Sequence, residues 1–289
     1  MKYAYFPGCS AHSTARDSHM STLAVAHALD IEMVEPIGWS CCGATAAHQT
    51  GRVLAAALPA ANLVLAQHMG MDMVATCAAC YNRLKIANFE ISHSPEMREH
   101  VSDAIGRDYD GSVRVIHFVE LLIKDIGLKS IRSKLKKSLD NLKVACFYGC
   151  LLVRPHDVMQ FDDPENPTSL DNLVNMMGGE SLDWPHKVEC CGGGLSLTRT
   201  DVVIRLTDSI LAMAQESGAE CIAVACPMCQ SNLDMRQKDI TKATGRKYNM
   251  PIIYTTQLLG LCLGLSPKEL GLEKLIVPAD KIIEVIEGK

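Results

Sequence analysis

The chain has 289 residues, 48% of them hydrophobic and 21% charged, a composition that suits a folded protein with one large or two modest cores. A net charge of -5 and an aromatic content of 5% argue against a nucleic-acid surface, which calls for a basic excess with stacking side chains. The opening "MKYAYFPGCS" has no apolar signal core, and no run reaches the roughly 18 apolar residues that cross a bilayer, so a cytoplasmic chain without direct membrane insertion is expected.

In chain order, an extended run over residues 2–6 leads to Cys9, and the helical stretch "DSHMSTLAVAHALD" leads on toward Cys41 and Cys42. A second helix, "GRVLAAALPAANLVLAQHMG", and a short apolar strand, "MDMVATC", carry the chain to Cys77 and Cys80, and "VIHFVELL" from Val115 runs as a strand into a helix. A basic segment over 129–143, with six Lys or Arg against one acid, reads as a solvated helix between two units. The order then returns: an extended run at 143–148 into Cys150, the pair Cys190 and Cys191, the helix "DVVIRLTDSILAMAQESG", the strand "ECIAVAC" into Cys226 and Cys229, and "IIYTTQLL" from Ile252.

These are two copies of one unit. Each pair is separated from its CxxC by 34 residues, so positions 41–84 lie over 190–233 at a constant offset of 149. The flanks agree, "YAYFPGC" with "VACFYGC", "CCGATA" with "CCGGGL" and "NRL" with "SNL". Alternating strands and helices predict an α/β fold of two tandem units with mainly parallel sheets, the cysteines in loops at strand ends where such folds place their ligands. The expected division is a first domain over 1–128, a linker over 129–142, and a second domain with a C-terminal tail over 143–289.

Thirteen cysteines in a reducing compartment point to metal or redox chemistry rather than disulfides. Adjacent cysteines cannot easily join each other, since the ring that would close between them is strained far from ordinary disulfide geometry. Zinc takes four ligands and leaves one motif cysteine per unit unexplained; a thioredoxin-like reading uses CxxC and ignores the pair. An iron–sulfur centre suits both, because neighbouring thiolates that diverge can reach different irons, and a following glycine lets backbone N–H groups turn toward sulfur. Zinc in at least one unit and a thiol-only redox protein are the alternatives.

The duplicated C…CCG…CxxC pattern resembles the cysteine-rich CCG domain, and the two-copy chain, with "FDDPENPTSLDNLV" after Cys150, is similar to the B subunit of heterodisulfide reductase along essentially its whole length. The resemblance implies two non-cubane 4Fe-4S clusters, one held by Cys9, Cys41, Cys42, Cys77 and Cys80 and the other by Cys150, Cys190, Cys191, Cys226 and Cys229. It implies a catalytic role in cleaving a small disulfide, the coenzyme M–coenzyme B heterodisulfide of methanogenesis or a related one, between the clusters. Implied partners are the iron–sulfur C subunit and the flavin-bearing, iron–sulfur A subunit of heterodisulfide reductase, with hydrogenase or formate dehydrogenase subunits in a larger complex. An electron-transfer role in a CCG-containing dehydrogenase or fumarate reductase complex is the alternative.

The other cysteines, Cys146, Cys221 and Cys262, do not recur between the copies and are expected to be small buried hydrophobes. His12, His48, His117 and His156 read as structural. Arg16, Arg83, Arg154 and Arg199 lie near motif cysteines and are candidates for an anionic substrate. Eight additional residues between Cys150 and its pair, including Pro155, Pro164 and Pro167, are a candidate cavity wall.

Overall fold

A computed structural model describes residues 1–44 and 47–288. Eight strands form two separate four-stranded sheets: β1 (Lys2–Phe6), β2 (Glu32–Val34), β3 (Met73–Ala75) and β4 (Val115–His117) in the first, β5 (Lys143–Phe147), β6 (Glu180–Ser181), β7 (Cys221–Val224) and β8 (Ile252–Tyr254) in the second. The strand orders are β2-β1-β3-β4 and β6-β5-β7-β8, with every pairing parallel. The duplication read from the cysteines is therefore a duplication of topology.

The registers agree as well: Ala4 lies opposite Met73 and Met73 opposite Val115 in one sheet, and Ala145 opposite Ile222 and Ile222 opposite Ile252 in the other. The inner strands are short runs such as "MVA" and "CIAV", buried along their whole length, as a parallel sheet covered by helices on both faces requires. Main helices at Arg16–Ala28, Arg52–Met69, Ala78–His93, Ser169–Met176, Thr200–Glu216 and Pro227–Met235 supply that cover. The edge strands β2 and β6, which lie between the first helix of each unit and its cysteine pair, have no counterpart in the expected element order.

The chain order in each sheet reverses beside its first strand, which creates a crevice past the carboxyl ends of neighbouring strands. Cys9 and Cys150 follow the first strand of each sheet, the pairs follow the edge strand, and each CxxC follows the strand on the other side. Three adjacent parallel strands thus deliver five cysteines to one end of each sheet. Cys146 and Cys221 lie within β5 and β7 and Cys262 within the helix Thr255–Cys262, all three with no exposed surface.

The two units pack closely. The helix Arg16–Ala28 meets the helix Thr255–Cys262, where the hydroxyls of Ser21 and Thr256 share a buried hydrogen bond of 2.7 Å. Asn82 Nδ2 donates to the carbonyls of Leu151 (3.2 Å) and Arg154 (2.7 Å), which ties the helix after the first CxxC to the loop after Cys150. The segment between the units carries a helix, Leu128–Lys134, and buries Ile131, Leu139 and Leu142 while its lysines stay outward.

Candidate functional site: ten cysteines at the junction of the two units

The cysteine pairs and the CxxC segments meet in the same way in both units. Cys42 Sγ lies 3.3 Å from Cys80 Sγ, and the equivalent Cys191 Sγ lies 3.4 Å from Cys229 Sγ. The first cysteine of each pair receives a backbone N–H: Gly43 N donates to Cys41 Sγ at 3.4 Å, and Gly192 N to Cys190 Sγ at 3.4 Å. Adjacent thiols, one set against a CxxC sulfur and the other under a glycine N–H, offer a polynuclear centre several donors at once.

Gly8 and Gly149, just before the first cysteine of each unit, show why that position is glycine. Both have left-handed backbone (φ +75° and +66°), and a Cβ there would lie 3.1 Å from Cys80 Sγ and 3.0 Å from Cys229 Sγ. The backbone passes directly over the second CxxC sulfur. Cys77 and Cys226 cap the helices that follow them, so Cys80 and Cys229 sit in the first helical turn with their sulfurs held in place.

The two sets of thiols are joined across the junction. Cys77 and Cys226 face each other across the junction and shift each other's proton affinity, while Cys80 meets Cys42 on one side and Cys229 meets Cys191 on the other. Cys150 stands beside Cys190 on the wall of one cavity, and that neighbour raises its pKa. Cys9 is exposed, as Cys41 and Cys190 are, and acts on Cys41 through its charge. The Cys41 and Cys80 thiols beside it hold the Cys42 pKa below its ordinary value while theirs rise, and Cys150 holds Cys190 down while it rises itself, so within each unit the thiols share protons unequally. Hydrogen bonds from Cys229 and Cys77 likewise lower Cys226.

All five motif cysteines of the second unit line a cavity of about 200 Å³, closed from the first unit by Ala44, His48, Ala78, Ala79 and Arg83. Arg83 is half-buried there, its Nη2 donating to Asn82 Oδ1 at 3.0 Å, and burial lowers its pKa while the Cys42 charge opposes that shift. By the 149-residue offset its equivalent is Asn232, whose Nδ2 donates to the Cys191 carbonyl at 2.9 Å. The same helical position thus attends the pair in both units, with a charge in one and a neutral amide in the other.

The remaining candidates lie elsewhere. Arg154 pairs with Glu165 and Arg199 with Asp201, and Arg16 is exposed. His12 lies 3.4 Å from Glu35 and stacks against Trp39 at the surface; His156 is exposed at the start of a short helix. His117 is buried, its Nδ1 accepting from Val119 N and its Nε2 facing the Thr76 carbonyl, which is a helix cap. Of the four candidate histidines and four candidate arginines, His48 and Arg83 line the cavity. Leu151 is the residue of the longer loop that does so, and none of its three prolines does.

One part of the site has no counterpart in the sequence motifs. Tyr148, on the cavity wall, donates its hydroxyl to Asp171 (2.5 Å), and Asp171 forms a buried ion pair with Lys187 at 3.0 Å. The Lys187 carbonyl in turn accepts from the N–H groups of Tyr148 and Gly149, so this network fixes the strand end that carries Cys150. The first unit has Pro7 where the second has Tyr148.

Among the described residues no three His, Cys, Asp or Glu side chains converge on one point as ligands of a single ion. The sulfurs instead meet in pairs, Cys42 with Cys80 and Cys191 with Cys229, and the five of the second unit share one cavity wall, which fits a group with several metals better than a lone ion. Two sets of five thiols, two inward N–H donors and two glycine approaches make up a donor set chemically suited to iron–sulfur centres.

The fold and the site define a duplicated α/β protein whose two units each bring five motif cysteines to one end of a parallel sheet. The model of the cysteine-rich domain, CCG, matches residues 3–85 and 144–234, and the chain belongs to that family. It is 34% identical over 282 residues, 97% of this chain and 99% of the other, to the 8-methylmenaquinol:fumarate reductase membrane anchor subunit of Wolinella succinogenes. It is 33% identical to the B subunit of the ferredoxin/F(420)H(2)-dependent CoB-CoM heterodisulfide reductase of Methanosarcina acetivorans, covering 94% of this chain and 93% of that one. A solved hypothetical protein from Helicobacter pylori has the same fold, with a TM-score of 0.75 at 12% identity; the match takes in 96% of this chain and 52% of that one, so the chain spans about half its length. No helix among the described residues is long and apolar enough to cross a membrane.

Proposed function

We propose that the chain is the iron–sulfur subunit of a multi-subunit reductase and that it reduces a small disulfide at the junction of its two units. The observation that carries this reading is the cavity of about 200 Å³ at that junction, lined by all five cysteines of one unit and closed by residues of the other. Cys9, Cys41, Cys42, Cys77 and Cys80 would hold one four-iron centre, and Cys150, Cys190, Cys191, Cys226 and Cys229 the second. Such centres supply electrons one at a time, and reduction of a disulfide to two thiols consumes two electrons and two protons.

The chain's own residues define what enters. Arg83 offers a guanidinium with no carboxylate in hydrogen-bond contact among the described residues, suited to a carboxylate, sulfonate or phosphate on the substrate. Ala44, Ala78, Ala79, Leu151 and Met228 give an apolar lining that excludes water from the reacting sulfur. Tyr148, held by Asp171 and Lys187, fixes the Cys150 end of the wall. The names of the relatives support partner subunits, with iron–sulfur and flavin proteins as proposed sources of electrons.

A second reading is favoured by the relative from Wolinella succinogenes: the chain passes electrons to or from a fumarate reductase partner and performs no disulfide chemistry. The two separate on one experiment. Anaerobically reduced chain, without partners, is mixed with small disulfides bearing anionic or neutral ends. Stoichiometric release of two thiols, weakened at least tenfold by Arg83→Ala for the anionic disulfide alone, supports the first reading. Reoxidation by a partner protein with no thiol release supports the second.

A further inference from the structure

The side chain of Asn82 stands between the two units, behind the wall of the junction cavity, and has no exposed surface. Its Nδ2 donates to the carbonyls of Leu151 (3.2 Å) and Arg154 (2.7 Å) in the second unit, and its Oδ1 accepts from Arg83 Nη2 at 3.0 Å in the first. These partners leave one orientation for the amide: two carbonyls call for the NH₂ end, and a guanidinium, which only donates, calls for the oxygen. Asn82 itself does not line the cavity, whereas Arg83 and Leu151, bonded to either end of its amide, both do.

The arrangement belongs to the first unit. By the 149-residue offset the second unit has Ser231 and Asn232 where the first has Asn82 and Arg83. Among the described residues no carboxylate hydrogen-bonds Arg83; Glu90, which acts on it by charge, is itself paired with Arg52 at 3.2 Å. A planar guanidinium held at one nitrogen presents its other N–H groups as a fixed fork, and here the group that holds it is positioned by the backbone of the other unit. The same loop of the second unit has further ties to the first: Lys85 Nζ donates to the Met159 carbonyl, and Lys124 Nζ to that of Gln160 at 3.4 Å.

We propose that Asn82 is a positioning residue that makes anion binding at Arg83 depend on the docking of the loop 151–161 of the second unit. With the loop in place, the amide sets the guanidinium toward the cavity. With the loop displaced, Asn82 loses both acceptors and Arg83 its fixed partner. Linkage makes the effect mutual, so an anion bound at Arg83 holds the loop, and with it Leu151, against the first unit. The link stands on the geometry alone; that the bound anion is one end of a disulfide rests on the proposed function.

The test titrates ethanesulfonate into anaerobically purified full-length protein. Arg83→Ala should weaken binding about tenfold or more and Asn82→Ser about three- to tenfold, and in the Arg83→Ala background Asn82→Ser should add about twofold at most. A parent that binds no ethanesulfonate, an Asn82→Ser variant that binds it as the parent does, or an equal loss from Asn82→Ser with and without Arg83 overturns the link. Hydrogen exchange over residues 151–161 needs no change at Asn82 and decides alone if that variant does not fold. Ethanesulfonate should slow it about threefold in the parent and leave it unchanged in Arg83→Ala. Exchange in the parent that does not respond to the anion overturns the link. Failure of every small disulfide to yield thiols from reduced protein refutes the proposed function and leaves both measurements standing.

Discussion

Replacing Gly149 by alanine tests whether the backbone really passes over the sulfur of Cys229. At φ +66° an L-residue is strained by about 1–2 kcal/mol, and the new Cβ would stand 3.0 Å from Cys229 Sγ. That sulfur is held in the first turn of a helix and against Cys191, so it cannot swing aside, and overpacking adds about 1–3 kcal/mol. A loss of about 2–5 kcal/mol is expected, the sum of the strain and overpacking costs. Gly106 is the control: its φ is +63°, nothing lies within 4 Å of a Cβ there, and Gly106→Ala should cost the backbone strain alone. The assay is urea unfolding of anaerobic protein together with iron content, which should fall in Gly149→Ala and stay constant in Gly106→Ala. Equal destabilisation and equal iron in the two variants would refute the reasoning.

Other expectations follow from the same geometry. Serine at Cys42 or Cys191 should lower iron content and abolish activity, whereas Cys146→Ser and Cys262→Ala should retain iron at a stability cost of about 1–3 kcal/mol, as elemental analysis beside a denaturation curve will show. Lys187→Met leaves Asp171 buried without its partner and should cost about 3–5 kcal/mol, part of which a second change, Asp171→Leu, recovers; no recovery in the double variant would mean the pair is not the cause. Burial holds the His117 pKa below its ordinary 6.5. As pH falls through 6.5 the unfolded chain takes up a proton that the folded chain does not, so stability should decline there, and less steeply in His117→Asn. His19, also lowered by burial, keeps part of the slope in that variant; an identical slope would exclude His117 as its source.

Much of the fold is legible in the sequence because parallel strands buried on both faces are uniformly apolar and the cysteine motifs mark their ends. "MDMVATC" and "ECIAVAC" read as strands and are β3 and β7. The edge strands are harder to see: β6 is two residues long, and β2 is neither alternating nor uniformly apolar. Arg83 is one of four arginines near cysteines, and sequence proximity does not separate it from Arg154, which faces Glu165. Lys187, just before Cys190, looks like an ordinary surface charge; only the fold brings it to Asp171 and Tyr148. The Cys77–Cys226 contact depends on how the two units face each other, which no repeat offset encodes.

On the proposed reading, the ten motif cysteines hold two iron–sulfur centres. Elemental and acid-labile sulfide analysis of anaerobically purified protein tests it most directly. About eight irons and eight sulfides per chain, two centres of four, are predicted, with zinc at trace level. Stoichiometric zinc with four irons or fewer, or a chain that folds stably with neither, would contradict it.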